Sequence, residues 1–104
     1  MCILHTTICI RFMKPTIKIE YCPKCHWMMK AAYMAQEFLT TFSEELYSVE
    51  LIPSEISGRY IIYVNDSKIF ERKESGQFIE VKLLKQIIRD IIAPDKDLGH
   101  SDKK

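Results

Sequence analysis

Two cysteines with the spacing C-x-x-C, Cys22 and Cys25, are the residues of this chain whose type and spacing point most directly to chemistry. Two thiols at this separation can close a small disulfide ring and open it again. The thiolate is the attacking species in such an exchange, so the groups around the pair decide how reactive it is. The motif therefore predicts dithiol–disulfide chemistry, and it does not name the substrate.

The motif lies where a strand passes into a helix. Apolar and polar residues alternate over residues 17–21, which is typical of a strand with one buried face. An amphipathic helix is predicted over residues 24–42, with an apolar face formed by Trp27, Ala31, Met34, Ala35, Phe38 and Phe42 and widened by Met28, Ala32 and Leu39. The first turn of a helix has unpaired N–H groups and the positive end of the helix dipole, and both favour a thiolate. We therefore expect Cys22 and Cys25 to lie within about one turn of a helix N-terminus.

Three more strands and a second helix follow. Alternating residues predict a strand that ends at Pro53, and aromatic and β-branched residues predict the next strand over residues 59–64. A turn at residues 65–67 joins it to a strand at residues 68–73, which makes a hairpin. A helix is predicted over residues 80–93, with an apolar face formed by Val81, Leu84, Ile88 and Ile91 and flanked by Leu83 and Ile87. The order β-α-β-β-β-α predicts a thioredoxin-like α/β fold: a four-stranded mixed sheet covered by two helices, with the cysteine pair at the carboxyl end of the first strand.

The composition argues against several classes of function. The chain has 104 residues, enough for one domain, and 15 Lys and Arg against 14 Asp and Glu leave almost no net charge. It has no basic stripe with interleaved aromatic residues, so we expect no nucleic-acid partner. It also has no apolar run that approaches the length of a membrane span, so we expect no membrane partner.

The two ends of the chain are expected to lie outside the domain, which we place at residues 13–94. Residues 1–12 have neither a sustained apolar core nor a small-residue cleavage site, so they make a poor signal peptide. We interpret them as an upstream extension before a natural start at Met13, with a short edge strand over residues 7–12 as the alternative. Residues 95–104 are predicted to form a polar tail.

The remaining cysteines are not expected to form a structural framework. Four cysteines without an export signal argue against structural disulfides, because such bridges persist in oxidising compartments. We therefore interpret Cys2 and Cys9 as incidental and expect a cytoplasmic protein.

Several segments of the chain carry a resemblance to a known family. They are Ile19-Glu20-Tyr21-Cys22-Pro23-Lys24-Cys25 before the long helix, Gly58-Arg59-Tyr60 at the hairpin, and Gly76-Gln77-Phe78-Ile79-Glu80 before the last helix. Together they resemble the selenoprotein W-like family, also called the Rdx or SelT/SelW/SelH family, over residues 18–92, and residues 93–100 are similar to the tails of its bacterial members. The resemblance implies a thioredoxin-like fold, a role in cell redox homeostasis without a cofactor, and glutathione or a thioredoxin-type protein as the thiol partner.

Two assignments of the roles within the pair are considered, and of these we favour Cys22 as the nucleophile, so that Cys25→Ser would trap a partner and Cys22→Ser would not. The analogy with thioredoxin makes the first cysteine, Cys22, the exposed attacker and the second the buried resolving thiol. Selenocysteine-containing members of the family carry selenocysteine at the position of Cys25, which indicates the opposite assignment. Sulfur at this position puts any peroxidase-like rate that depends on selenium in doubt. Pro23, Lys24, His26 and Trp27 are the expected supporting residues, and Lys24 and His26 are candidates for tuning the thiol pKa values.

Two metal-centred alternatives use the same motif. With His26 the sequence spells C-x-x-C-H, the attachment pattern of c-type haem, but Met28 and Met29 are too close along the predicted helix to reach the opposite haem face. A structural zinc site needs four ligands, so the pair would contribute only to a metal-bridged dimer or to a site completed by His5 and Cys9.

The main alternative to an enzyme is a redox-sensitive protein-binding module. In this interpretation Pro23 and Trp27 form a contact patch beside the cysteines, and the disulfide state changes a surface loop. The enzyme and the module differ by turnover.

Overall fold

A mixed four-stranded sheet forms the frame of the molecule, which the structure, a computed structural model, describes over residues 14–99. In chain order the elements are β1 (Thr16–Tyr21), a 3₁₀ turn (Pro23–Cys25), α1 (Met28–Thr41), β2 (Ser48–Pro53), β3 (Tyr60–Val64), β4 (Ser67–Glu71), α2 (Arg72–Ser75) and α3 (Val81–Ile92). The strand order is β2-β1-β3-β4, with β1 and β2 parallel and the other two neighbouring pairs antiparallel. The thioredoxin-like α/β fold and its mixed sheet are as predicted.

Both long helices pack on the same face of the sheet. One core cluster combines alternate residues of β1 and β3 with one face of each helix, and its buried members are Ile17, Ile19, Tyr21, Ala31, Met34, Ala35, Phe38, Phe42, Leu46, Tyr60, Ile62, Val64, Phe70, Leu84 and Ile88. The helices are also joined by an ion pair between Lys85 Nζ and Glu37 Oε1 at 2.8 Å. A slip of β1 by one residue would bring Lys18 and Glu20 into this core, so the alternation specifies the register.

The buried stripe of each helix is narrower than the sequence pattern predicts. Met28 and Leu39 of α1, expected to widen the apolar face, are 47% and 44% exposed. Leu83 and Ile91 of α3 are 47% and 52% exposed, although Ile91 was predicted on the main apolar face. These predictions were wrong because a helix that lies on one sheet face buries only the side chains that point at the sheet.

The hairpin differs from its prediction at both ends of β4. Its turn consists of Asn65 and Asp66 alone, with φ values of 49° and 69°, and Ser67 already belongs to the strand. Two successive left-handed residues form the type I′ turn that suits a two-residue hairpin, and Asn and Asp tolerate it. The predicted strand was also too long, because residues Arg72–Ser75 form the short helix α2, which Gly76 ends at φ 79°.

The beginning of the predicted polar tail lies against the domain. Lys96 Nζ pairs with Glu45 Oε2 at 3.2 Å, and Arg89 Nη1 donates a hydrogen bond to the Lys96 carbonyl at 2.7 Å. Leu98 packs against the core cluster. The predictions for residues 1–12 fall outside the described residues. Over residues 14–99, no helix is both long enough and apolar enough to cross a membrane.

Candidate functional site

The cysteine pair occupies a tight turn at the carboxyl end of β1. Cys22 is extended, with φ −85° and ψ 111°, and Pro23 then begins the 3₁₀ turn, where its fixed φ and missing N–H are tolerated. The N–H of Cys25 donates to the carbonyl of Cys22 at 3.3 Å, which folds the chain back on itself. The two sulfurs consequently lie 2.8 Å apart.

The long helix begins later than predicted, and its first turn therefore does not contain the thiols. His26 adopts the left-handed conformation, with φ 61° and ψ 35°, and its N–H donates to the carbonyl of Pro23 at 3.1 Å. A right-handed helix cannot continue through such a residue, so α1 begins at Met28 with Trp27 as its N-cap. The predicted helix start at residue 24 was wrong for this reason, so that Cys25 lies three residues before α1 and Cys22 lies six residues before it.

The exposure of the two thiols is the reverse of the thioredoxin analogy. Cys22 is 1% exposed, whereas Cys25 is only partly buried. Both are free thiols, because 2.8 Å is longer than a disulfide bond of about 2.05 Å, and the Cys25 thiol donates a hydrogen bond to Cys22 Sγ. Cys25 is therefore the sulfur that an incoming partner reaches first.

A loop at residues 54–59, which the sequence analysis did not assign to the site, closes against the pair. The N–H of Ser54 donates to the carbonyl of Tyr21 at 2.7 Å, which ties the loop to the end of β1. The register pairs Tyr21 with Tyr60, so the residues just before β3 lie beside the motif. The sequence pattern predicted Gly58 only as the start of the hairpin. The strand order would have placed it in the site, because β3 lies next to β1.

Hydrogen bonds to the sulfurs separate the two thiol pKa values. The Cys25 thiol, followed by the backbone N–H of Gly58, lowers the pKa of Cys22 to about 7. The same contact with Cys22, together with burial, raises the pKa of Cys25, while the Gly58 N–H and the Ser57 hydroxyl act in the opposite direction. The reduced pair therefore loses its first proton near neutral pH, and the charge resides mainly on Cys22.

The four predicted supporting residues have different surroundings. The side chains of Pro23, Lys24 and His26 are exposed. The shifts of the thiol pKa values arise from the other thiol, burial, backbone N–H groups and a serine hydroxyl, and not from the Lys24 or His26 side chain. Trp27 is partly buried and packs edge-on against the rings of Tyr60 and Phe78, with centroid distances of 6.0 and 5.1 Å.

The described side chains do not assemble a metal site around the motif. Over residues 14–99, no group of three or more His, Cys, Asp or Glu side chains is arranged to hold a metal ion. Cys22 and Cys25 would supply two of the four ligands of a structural zinc site. His5 and Cys9, the assisting ligands considered above, lie outside the described residues.

Substitution of Gly58 by alanine is expected to raise the pKa of the first thiol ionisation and to lower stability by about 1–2 kcal/mol. Gly58 has φ 79°, and no atom outside Gly58 and its two chain neighbours lies within 4 Å of the position of an added Cβ, so the change acts through the backbone alone. The strained backbone moves the N–H away from the sulfurs. The pH dependence of iodoacetamide alkylation and urea unfolding measure the two effects.

Gly76→Ala is the matched control for this substitution. Gly76 also has φ 79° and open space around it, so it carries the same strain at a glycine that does not hydrogen-bond to either sulfur. We expect a similar loss of stability without a change in the alkylation profile. Equal alkylation profiles for Gly58→Ala and the wild type would contradict the assigned role of the Gly58 N–H.

The sequence and the fold both have known relatives. Residues 16–90 match the model of the Rdx family. The chain is similar to the crystal structure of a selenoprotein W-related protein from Vibrio cholerae, with 47% identity and a TM-score of 0.72 over 75% of this chain and 96% of that chain. It is also similar to the crystal structure of a protein from Bordetella parapertussis, with 42% identity and a TM-score of 0.73 over 76% of this chain and 99% of that chain. No curated protein matches the chain. Both solved relatives are bacterial, and the match covers nearly their whole length.

Proposed function

The chain belongs to the Rdx family, and we propose that it is a thiol–disulfide redox protein that works through a reversible Cys22–Cys25 disulfide. The observation that carries the proposal is the 2.8 Å distance between the two sulfurs, which need to approach by less than ~1 Å to form the bond. A pKa of about 7 for Cys22 supports it, because the pair then holds a thiolate at neutral pH.

We assign the attack on the partner to Cys25. Cys22 is 1% exposed and an attacking sulfur must touch the disulfide it cleaves, so access decides between the two thiols. The lower pKa of Cys22 does not oppose this assignment, because the proton only has to cross the existing S–H···S hydrogen bond. Cys22 then acts as the base that deprotonates Cys25.

The proposed exchange has two steps. The Cys25 thiolate attacks one sulfur of the partner disulfide and forms a mixed disulfide, while the other partner sulfur leaves as a thiolate and takes a proton from solvent. Cys22 next loses its proton to solvent and attacks the Cys25 sulfur, which releases the second partner thiolate. The protein is oxidised by two electrons and the partner is reduced to two thiols, so no cofactor is needed.

The return of the pair to the dithiol form requires a reductant. We propose glutathione or a thioredoxin-type protein for this role, and we propose the cytoplasm as the place of action, since its thiol pool keeps such a pair reduced. With a formal net charge of +1, the chain offers no electrostatic reason to expect a nucleic-acid partner.

A redox-sensitive binding module remains the second candidate, and the loop at residues 54–59 favours it. Ile56 is 51% exposed in the same loop whose Gly58 N–H lowers the pKa of both thiols. Closing the disulfide changes the acceptors of that N–H, so the loop and its exposed isoleucine would respond to the redox state.

Turnover separates the two candidates. The full-length protein is mixed with an excess of a peptide–glutathione mixed disulfide and with glutathione as reductant, and the release of peptide thiol is followed. We expect many equivalents of thiol per protein molecule, above the rate without protein. If only one equivalent of peptide thiol is released per protein molecule, and the affinity for a protein partner depends on the disulfide state, the oxidoreductase hypothesis is wrong and the binding module is supported.

A further inference from the structure

Two cationic side chains, Lys30 and Arg72, lie against the aromatic rings beside the cysteine motif. Lys30 Nζ is 4.3 Å from the centroid of the Phe78 ring, and the Arg72 guanidinium carbon is 5.0 Å from the centroids of both Phe78 and Trp27. The rings of Trp27, Phe78 and Tyr60 pack edge-on against one another, so the cations sit on a fixed aromatic platform. We call these four residues, Lys30, Arg72, Trp27 and Phe78, the cationic platform.

The two cations lack acidic partners in the part of the chain that the structure describes. The ion pairs of residues 14–99 join other cations to carboxylates, for example Arg59 to Glu20 at 3.1 Å and Lys85 to Glu37 at 2.8 Å. In addition, Arg72 Nε is buried and has no hydrogen-bond partner. Arg72 as a whole is only partly buried, so its terminal Nη groups are the donors that a ligand can reach, and a guanidinium held in place by stacking suits a planar carboxylate, which accepts two parallel hydrogen bonds.

A groove of about 480 Å³ adjoins the cationic platform between α1 and the beginning of α3. Lys30 and Phe78 line it, and its charged lining residues are two lysines, Lys30 and Lys82, and one glutamate, Glu80. Its volume is in the range of small-molecule sites. Lys30 and Phe78 thus belong both to the groove and to the platform.

The platform includes a residue that lies close to the cysteine motif in the chain. Trp27 follows Cys25 by two residues, so their Cα atoms are at most about 7.6 Å apart, and Arg72 stacks on the Trp27 ring. We propose that the cationic platform is a carboxylate-binding subsite, which holds a small carboxylate-bearing thiol compound while its sulfur reacts at Cys25. The proposal rests on the proposed function only for the statement that the ligand is a thiol.

The test uses a ligand that binds without reacting. S-methylglutathione has two carboxylates and a thioether that cannot exchange, so its binding is independent of the redox chemistry. Trp27 is the only tryptophan of the chain and lies in the platform, so its fluorescence reports on binding to the full-length protein. We expect a saturable change, and about tenfold weaker binding of the diethyl ester of the same compound, in which the carboxylates are blocked.

Substitutions assign the binding to the platform. We expect about tenfold weaker binding of S-methylglutathione to Arg72→Gln and weaker binding to Lys30→Gln, with calorimetry as a second readout in case a substitution alters the Trp27 signal. Lys73→Gln removes an exposed charge from the same short helix and is expected to bind like the wild type. Circular dichroism confirms that each variant is folded.

Three results would overturn the proposal: no saturable binding of S-methylglutathione up to millimolar concentration, equal affinity for the acid and the diethyl ester, or the same loss for Lys73→Gln as for Arg72→Gln. Each of them leaves the turnover measurement of the proposed function untouched. Conversely, if the protein binds the acid and not the ester but shows no turnover, the carboxylate-binding subsite is supported and the proposed oxidoreductase activity is contradicted.

Discussion

Substitution of Cys22 by serine is expected to trap the protein as a mixed disulfide with its partner, whereas Cys25→Ser is expected to trap nothing. Cys25 is the accessible sulfur and forms the first bond, and Cys22, 1% exposed and 2.8 Å away, is the thiol that releases the partner. Cys25→Ser is also expected to lower turnover by at least ~100-fold, because it removes the attacking sulfur, whereas in Cys22→Ser the glutathione of the assay can resolve the mixed disulfide.

Intact-protein mass spectrometry after incubation with oxidised glutathione measures the trapping. The control is a variant with serine at both Cys2 and Cys9, which is expected to behave like the wild type. If instead Cys25→Ser accumulates the mixed disulfide and Cys22→Ser does not, attack belongs to Cys22, as the thioredoxin analogy has it. The buried position of Cys22 would then have to open during the reaction.

Substitution of Phe38 by alanine is expected to destabilise the protein by about 3–5 kcal/mol. Phe38 is completely buried in the core cluster between α1 and the sheet, so its loss leaves a cavity under the helix that follows the cysteine motif. Urea unfolding followed by circular dichroism measures the effect.

The neighbouring residue provides the matched control. Leu39 is adjacent in α1 but 44% exposed, so Leu39→Ala is expected to cost less than about 1 kcal/mol. Similar losses for the two substitutions would contradict the described orientation of α1 on the sheet.

The fold could be predicted to the level of element order, and the reason is visible in particular residues. Ile17, Ile19 and Tyr21 alternate with polar residues in β1, and all three are buried. The spacing of Ala31 and Phe38 likewise matches one face of a helix, and both are buried. The period of the apolar residues shows which face of a strand or helix is buried, so it predicts well whether a segment is a strand or a helix.

Local backbone geometry was harder to predict. The beginning of α1 was misplaced because His26 takes a left-handed conformation that nothing in its residue type demands. The end of β4 was predicted at residue 73, but the strand ends at Glu71 because α2 begins at Arg72. Both errors concern the backbone dihedral angles of one or two residues. The spacing of apolar residues does not predict such angles.

The site could be predicted only in part for a different reason. Cys22 and Cys25 were identified because both belong to one short motif, whereas Ser57 and Gly58 come from a loop more than thirty residues away. The pairing of β1 with both β2 and β3 brings that loop to the sulfurs, because Tyr21 lies opposite Pro53 on one side and Tyr60 on the other. The reversed exposure of the two thiols also follows from tertiary packing. The C-x-x-C motif itself is the same whichever of its two cysteines is buried.

The most direct test of the central claim is a redox titration of the full-length protein with disulfide mapping. The protein is equilibrated in glutathione buffers of graded potential, the free thiols are alkylated, and the disulfide-linked peptides are identified by mass spectrometry. We expect a single two-electron transition in which Cys22 becomes linked to Cys25, with full return on reduction. Free thiols at every potential, or a dominant link from either cysteine to Cys2 or Cys9, would contradict it.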